Sequence, residues 1–553
     1  MICRVVKVLV VERHPAYLSF SRLSQPTPTP DHEQPATQSF SFYQPIRLRT
    51  LSLLLAPAAG LLLISGCVRK QFFQADARPD GAAALGATAD SVRSVTAGRQ
   101  YARHGDLYQA LVGGHHRRSW AAPVSAPVFR LSTARPGGLQ PGKVGGGFNS
   151  TSLGLTSPDG RAYVIRTVDK DPIRATPAAV RGTFLVNVLR DNVSSTNPYA
   201  ALVVPPLAAA LGVPHSSPQL FYVRPEDPAF QSDSLLHFRG QLAYLEEKVA
   251  QNPGFPPPAA VENSEKAFAS VFASPARRFD QPALLRARLF DGWLGDWDRH
   301  AGQWSWAVDA PTTAGYAPVR PLPKDRDMVF YRLDDGLLGW LIGHVAIRHW
   351  VSFGPRYKNP VAQLSNGEYL DRRALNELTH AHFRAAALDM QRHLPDSLLQ
   401  RALHRLPAAA YAIEGPRTLA ALQARRAALP ALAEAFYREL ARQPPIAGTN
   451  EAERFEIHRY ADSTVVAVFP AKGTTAFYHR AFVPAETHRI QLEGLGGNDV
   501  FIVETHGPAA RRQPAVRIYG GPGTDELRQP ASGIRFEQGR VPAGRAFDKL
   551  PEE

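Results

Sequence analysis

From Gly448 onward the chain changes texture, and that change constrains its fold more than any other feature. Short alternating runs take over: Phe455/Ile457, Val466/Val468, Ile490/Leu492 and Val516/Ile518. Alternation at period two predicts half-buried strands. Two glycine-rich turns repeat among them. Gly494-Leu495-Gly496-Gly497-Asn498-Asp499 aligns with Gly520-Gly521-Pro522-Gly523-Thr524-Asp525, twenty-six residues further on. The second copy fits the Gly-Gly-x-Gly-x-Asp turn of calcium-binding β-rolls, where turns about nine residues apart share Ca²⁺. Spacing this much wider predicts stacked turns whose Asp caps its own backbone, with Ca²⁺ as the second reading. About five short strands are expected here. A membrane barrel needs more, each of about 9–11 residues.

Upstream of this β-domain the apolar spacing is helical. Residues 283–293 carry Leu284, Leu285, Leu289 and Trp293 on one face, and 376–391, 396–406 and 416–440 show the same period. Gly415-Pro416 predicts a break, and Pro430 a kink or two shorter helices. His380 and His382 diverge on a helix and read as core or surface residues. Further upstream, Gly145-Gly146-Gly147 lies between strand-like runs ending in Ala162-Tyr163-Val164-Ile165-Arg166. Residues 177–192 and 198–211 read as helices, the second interrupted by Pro205-Pro206. Residues 241–247 read as a strand whose Glu246 and Glu247 are solvated. The run His115-His116-Arg117-Arg118 reads as a solvated basic patch, since neighbours on a regular element point apart.

The formal charge is +14, but its arginines are dispersed and no run of five or six occurs. With no recognition motif beside it, that excess predicts no nucleic-acid partner. Two cysteines are present. Cys67 ends Ile64-Ser65-Gly66-Cys67 after an apolar stretch over 51–64 preceded by Arg47 and Arg49. The stretch is too short to span a bilayer and suits a signal-peptide core. Its end fits the bacterial lipobox. This predicts a lipoprotein signal over 47–67, lipidation of Cys67, and membrane anchoring in the bacterial cell envelope, at the outer membrane. Residues 1–46 read as disordered or an over-extended start, and 68–98 as a tether.

The chemistry-bearing motifs lie in the middle of the chain. One is Gly295-Asp296-Trp297-Asp298-Arg299-His300 with Gln303 and Trp304; the other is Pro321-Leu322-Pro323-Lys324-Asp325-Arg326-Asp327. An Asp able to accept a hydroxyl proton, an amide five residues later and a separate acidic cluster recur in phosphoryl transfer, which depends on positioning and charge neutralisation.

These motifs resemble the catalytic centre of CotH-type atypical kinases and, more distantly, secretory-pathway casein kinases and HipA-type kinases. The resemblance implies an α+β, two-lobed protein-kinase-like domain: a β-rich N-lobe over 99–250, a helical C-lobe over 251–445, then a small all-β domain over 446–553. It implies Mg²⁺ or Mn²⁺ with ATP. Asp298 would be the general base, Gln303 a second metal ligand, and Asp325 or Asp327 the holder of the main metal. Gly145, Gly146 and Gly147 would cover the nucleotide, and Arg166 or Lys170 would pair with phosphates. Arg166 stands where the family strand carries lysine, and 177–192 contains no Glu, so the usual Lys–Glu pair is absent or rebuilt. The rival expectation is a non-catalytic pseudokinase-type scaffold binding an outer-membrane protein. Residues 101–527 also resemble the periplasmic portion of Bacteroidetes BamA-like, surface-antigen-like outer-membrane proteins. The chain offers no Gly-x-Ser-x-Gly, His-Glu-x-x-His or Cys-x-x-Cys from which a hydrolase or zinc reading would start.

Overall fold

A computed structural model describes residues 72–79, 91–145, 152–174, 176, 178–181, 183, 185–252, 254–341, 350–507 and 513–542. The signal-like stretch with Cys67, and Gly146 and Gly147, lie outside them. The chain sorts into two units, one of Met1–Phe72 and Thr176–Val188, the other of Phe73–Ala175 and Leu189–Glu553. In the first, a short helix Ala178–Arg181 is tied back where Arg181 Nε donates to the Thr176 carbonyl at 2.7 Å. The second unit carries the rest of the description.

That unit is α+β with several sheets. One is a five-stranded antiparallel sheet in the order Gln140–Gly145, Ser152–Thr156, Ala162–Thr167, Leu242–Glu247, Gln219–Tyr222. Its alternation buries Leu153, Leu155, Tyr163, Ile165, Ala243 and Leu245 against Phe129, Phe221, Phe230 and Phe238. Arg166, next to Ile165, therefore faces the other side. Register sets Gly145, Ser152, Arg166 and Tyr244 in one row across the sheet.

The helices pack around Gln281–Leu294, which starts with Asp280 accepting from Ala283 N at 3.0 Å and ends at left-handed Gly295 (φ 76°). The last turn before Gly295 is wholly buried, so the motif that follows leaves from a fixed point. Three expected helices differ in detail. Residues 376–391 become His380–His393, with Thr379 and His382 forming a capping box and His380 paired with Glu434. Residues 416–440 become Ala408–Ala427 and Leu429–Ala441, with Pro416 inside the first. The break falls at Ala428, and Pro430 opens the second helix, where its missing N–H costs nothing. Pro205 and Pro206 likewise begin the helix Val204–Ala210 and do not interrupt it.

Two readings of surface segments are corrected. Described parts of the expected tether pack on the body: Ala77 N donates to Gly240 O at 2.6 Å, Tyr222 Oη donates to Asp76 at 3.0 Å, and Val92–Val95 pairs with Val124–Pro127. The expected basic patch is buried except for Arg118. His116 contacts Glu414 (3.1 Å) and the Phe330 carbonyl (2.8 Å), and Arg117 forks onto Asp191. Those partners come from distant segments, so nothing near His116 in sequence announces its burial.

Among its described residues the C-terminal region has nine strands where about five were expected, because several hold only three to five residues. They form two sheets. Pro445–Ala447, Arg489–Glu493, Ala515–Gly521 and Ile534–Gln538 run parallel in one; Glu453–Arg459, Val500–Thr505 and Glu526–Arg528 run parallel in the other. Phe455, Ile457, Ile490, Leu492, Phe501, Val516 and Ile518 fill the space between them. The glycine-rich turns are the corners joining the sheets, and they stack.

The caps differ from expectation. Asp499 Oδ1 accepts from Glu453 N (2.8 Å) and Asp525 Oδ1 from Asp499 N (3.0 Å). Each acid thus caps the preceding corner and not its own. Glu453 marks a third copy, at 448–453, hidden in the sequence by its lack of the double glycine. Among the described residues no helix is long and apolar enough to cross a membrane.

Candidate functional site

A buried charge network fixes both motifs from below. Arg288 and Asp291 lie on the helix Gln281–Leu294. Arg288 forks onto Asp371 (2.8 Å) and reaches Asp291 (3.0 Å). Asp291 also meets Arg299 at 3.3 Å and Arg326, and Arg326 reaches Asp296 at 3.0 Å. Asp291 is 0% exposed. Burial alone would raise its carboxyl, but Arg326, then Arg299 and Arg288, hold it below the ordinary range. Burial pushes Asp296 up to about 6 against the Arg299 and Arg326 guanidiniums. Arg299 further donates to the carbonyls of Lys324 (2.6 Å), Asp325 (3.2 Å) and Gln303 (3.2 Å), and Lys324 N donates to Gln303 O (2.9 Å). The loop after Gly295 and the loop after Ala317–Pro323 are therefore one clamped assembly.

Above this floor lies a small cleft lined by Arg166, Lys170, Asn197, Tyr244, Glu246, Asp325 and Asp327, enclosing about 50 Å³. Arg166 Nη1 stands 3.1 Å from Asp325 Oδ1 and its Nη2 pairs with Glu246, while Lys170 pairs with Asp327. Ser216 Oγ donates to the other Glu246 oxygen at 2.5 Å. Burial works against the charge on Asp325, yet Arg166, then Lys170 and Arg299, with help from the Gln303 amide, hold its carboxyl at about 2. Burial pulls Lys170 down, opposed by Asp325, Asp298 and Glu246. Asp325 sits at φ +49°, a left-handed conformation that Asp tolerates better than most residues. Its Oδ1 faces Arg166 in a geometry that leaves it without a directed hydrogen bond.

Asp298 has different company. Its side chain is 25% exposed, Asn366 Nδ2 donates to Oδ1 at 3.3 Å, and His300 Nε2 lies 3.9 Å away. Among the described residues no arginine or lysine forms an ion pair with it. It is an accessible carboxylate, oriented by an amide.

The structure thus brings together Arg166, Lys170, Asp325 and Asp327, with Gln303 and Asp298 acting on the same charges. Gly145 ends the exposed edge strand in line with Arg166. Among the described residues, the carboxylates do not form a cluster of three with ligand atoms in mutual reach; His458, Glu504 and His506 do. In the stacked corners, Asp499 and Asp525 each already use an oxygen on a backbone amide.

Glu246 was missed, read as solvated though it is 8% exposed. The signal was available. Alternation places Glu246 on the face of Tyr244, the register partner of Arg166, and so within diagonal reach of that guanidinium. Asp291 and Asn366 had no such signal, since their partners are brought in by helix packing.

No protein-family model and no curated protein matches the chain, so neither supports the CotH-type or BamA-like resemblance. Among solved structures, the crystal structure of a Helicobacter pylori proinflammatory kinase, CtkA, is similar at a TM-score of 0.28 and 11% identity, over 53% of this chain and 94% of that one. Likeness at that level decides neither fold nor chemistry, and the site is read from its own geometry.

Proposed function

We propose that this cleft binds the phosphates of a nucleotide and transfers a phosphoryl group to a hydroxyl acceptor, in a kinase-like arrangement of the five-stranded sheet over the helical region. The supporting observation is the crossing of two ion pairs, Arg166–Asp325 and Lys170–Asp327, beside an Asp298 that carries no such pair. The cations suit phosphate oxygens, and Arg166 offers a fork. Asp298 would accept the hydroxyl proton. The Arg166–Glu246 pair takes the place of the lysine–glutamate pair that the segment 177–192, which holds no Glu, cannot supply.

A space of 50 Å³ admits no nucleotide, so binding must part these pairs. Incoming phosphate takes over the cations and releases the carboxylates. Mg²⁺ or Mn²⁺ fits that exchange: Asp325 and Asp327 would hold it, with Gln303 adjacent, and it would neutralise charge on the transferring group. A thermal shift with nucleotide and either metal tests the reading. No shift with both metals present would overturn it. Asp298→Asn should then lower transfer ~100- to 10,000-fold at unchanged nucleotide affinity.

The rival is a non-catalytic scaffold, and one observation favours it. A concavity of about 730 Å³, lined by Arg278, Tyr316, Glu377, His382, Phe477 and Arg480, lies beside the stacked strands. That falls within the usual size of ligand sites, about 300–1,000 Å³, and the cleft does not. On this reading the ion pairs are structural and the chain binds an envelope partner. Lipidation at Cys67, giving an outer-membrane anchor, belongs to both readings.

A further inference from the structure

The face of the stacked sheets turned away from their core carries an arrangement that neither reading uses. His458 on the strand Glu453–Arg459 is the register partner of Glu504 on Val500–Thr505, and His506 follows two residues on, so all three project from one face. His506 N is held by the Arg459 carbonyl at 2.8 Å. Three atoms face one another: His458 Nδ1, His506 Nε2 and Glu504 Oε2. Their separations are 3.2 Å between the nitrogens, and 3.3 and 3.6 Å from the oxygen to His458 and His506.

Those lengths match a coordination polyhedron. A tetrahedral Zn²⁺ with bonds of about 2.0–2.1 Å has ligand–ligand edges of about 3.3–3.4 Å. The three atoms therefore form one face of such a tetrahedron with little rearrangement.

The surroundings orient both rings. His458 Nε2 points at Glu456 Oε2, 3.6 Å away, and the other Glu456 oxygen takes Arg454 Nε at 2.7 Å. A carboxylate at Nε2 favours the proton there, which leaves the Nδ1 lone pair facing the triangle, as in carboxylate–histidine–zinc arrangements. His506 is held by stacking on Tyr460, with centroids 4.8 Å apart and planes inclined by 15°. Side-chain exposures of 24%, 45% and 42% for His458, Glu504 and His506 leave the outer side open to a fourth ligand.

We infer that His458, Glu504 and His506 form a three-ligand site for a divalent transition-metal ion, Zn²⁺ foremost, with a fourth position open to water or to an oxygen or nitrogen of a bound molecule. Two imidazoles favour such ions over Mg²⁺ and Ca²⁺, which take all-oxygen sets. Glu456 is a positioning residue.

The test is Zn²⁺ titration by calorimetry on the untagged, chelator-treated full chain. One ion per chain should bind with a dissociation constant in the micromolar range or below. His458→Gln and His506→Gln should each weaken that binding at least tenfold and Glu456→Gln about tenfold, with metal-free melting temperatures unchanged because these side chains are outside the core. Mg²⁺ in excess should not compete. No wild-type binding, or binding that survives both histidine variants, overturns the assignment. Co²⁺ substitution gives a second readout: a tetrahedral visible spectrum supports the geometry, and an octahedral one refutes it.

Discussion

Asp499→Asn tests whether the stacked corners are held by a protonated acid. Asp499 is 0% exposed, and its Oδ1 accepts the Glu453 amide at 2.8 Å. Its Oδ2 is buried without a hydrogen-bond partner among the described residues. Burial, then the neighbouring Glu453 and Asp525, push the carboxyl up to about 8, against the accepted amide. The folded chain keeps a proton that the unfolded chain releases above about pH 4. Stability therefore falls as pH rises from about 4 to about 8 and levels off beyond. About four pH units at ~1.4 kcal/mol each set a ceiling on the order of 5 kcal/mol. Asparagine copies the protonated acid and cannot ionise, so it should be nearly neutral below about pH 4, lead wild type by roughly 1–2 kcal/mol at pH 5, and gain on the order of 3–5 kcal/mol at pH 9. The assay is thermal unfolding of both proteins from pH 5 to 9, with hydrogen exchange at the Glu453 amide. Glu453, pushed up to about 7 mainly by burial, leaves some pH dependence in the variant. Parallel stability curves for the two proteins would refute the argument.

Three further outcomes follow from the same geometry. Asp291→Asn leaves three guanidiniums crowded around an amide, and should cost about 3–5 kcal/mol, read as a lower denaturant midpoint. Gly523→Ala places a Cβ 1.7 Å from the Gly497 carbonyl at φ +135°, and should cost ~3 kcal/mol or more in melts of the β-region. Metabolic palmitate labelling should mark the full-length protein and vanish in Cys67→Ser, and an unlabelled, soluble wild type would remove the anchor.

What could be read from the sequence, and what could not, divides along a physical line. Periodicity places the strand Ala162–Thr167 and the helix Gln281–Leu294 within a residue or two, because the strand buries one face and the helix keeps its exposed residues to its first two turns, so the pattern records both. It fails where burial is decided by a partner far along the chain. His116 reads as solvated because nothing within the run shows that Glu414 and the Phe330 carbonyl will meet it. Prolines mislead for a related reason. Pro205 is a breaker only inside a helix, and the packing of Leu207 decides that it stands at a first turn; Pro416, read as a break, lies inside Ala408–Ala427, while Pro430 does mark the start of a second, shorter helix.

Residue type and spacing pointed to Asp325 and Asp327, which line the cleft, and to Asp298, which lies outside its lining, but not to the state in which they rest. Two of the three are closed by Arg166 and Lys170, and among the described residues no arginine or lysine pairs with Asp298. That difference separates catalyst from scaffold by experiment. If the pairs are counter-ions awaiting phosphate, Asp325→Asn frees Arg166 from one partner and should weaken metal-dependent nucleotide binding while sparing metal-free phosphate affinity. If they are structural, the same change lowers the melting temperature and no nucleotide binds. About 2–4 kcal/mol is at stake at a desolvated charge contact of this kind. An affinity loss of roughly thirtyfold or more with Mg²⁺, at a constant melting temperature, therefore decides for the enzyme.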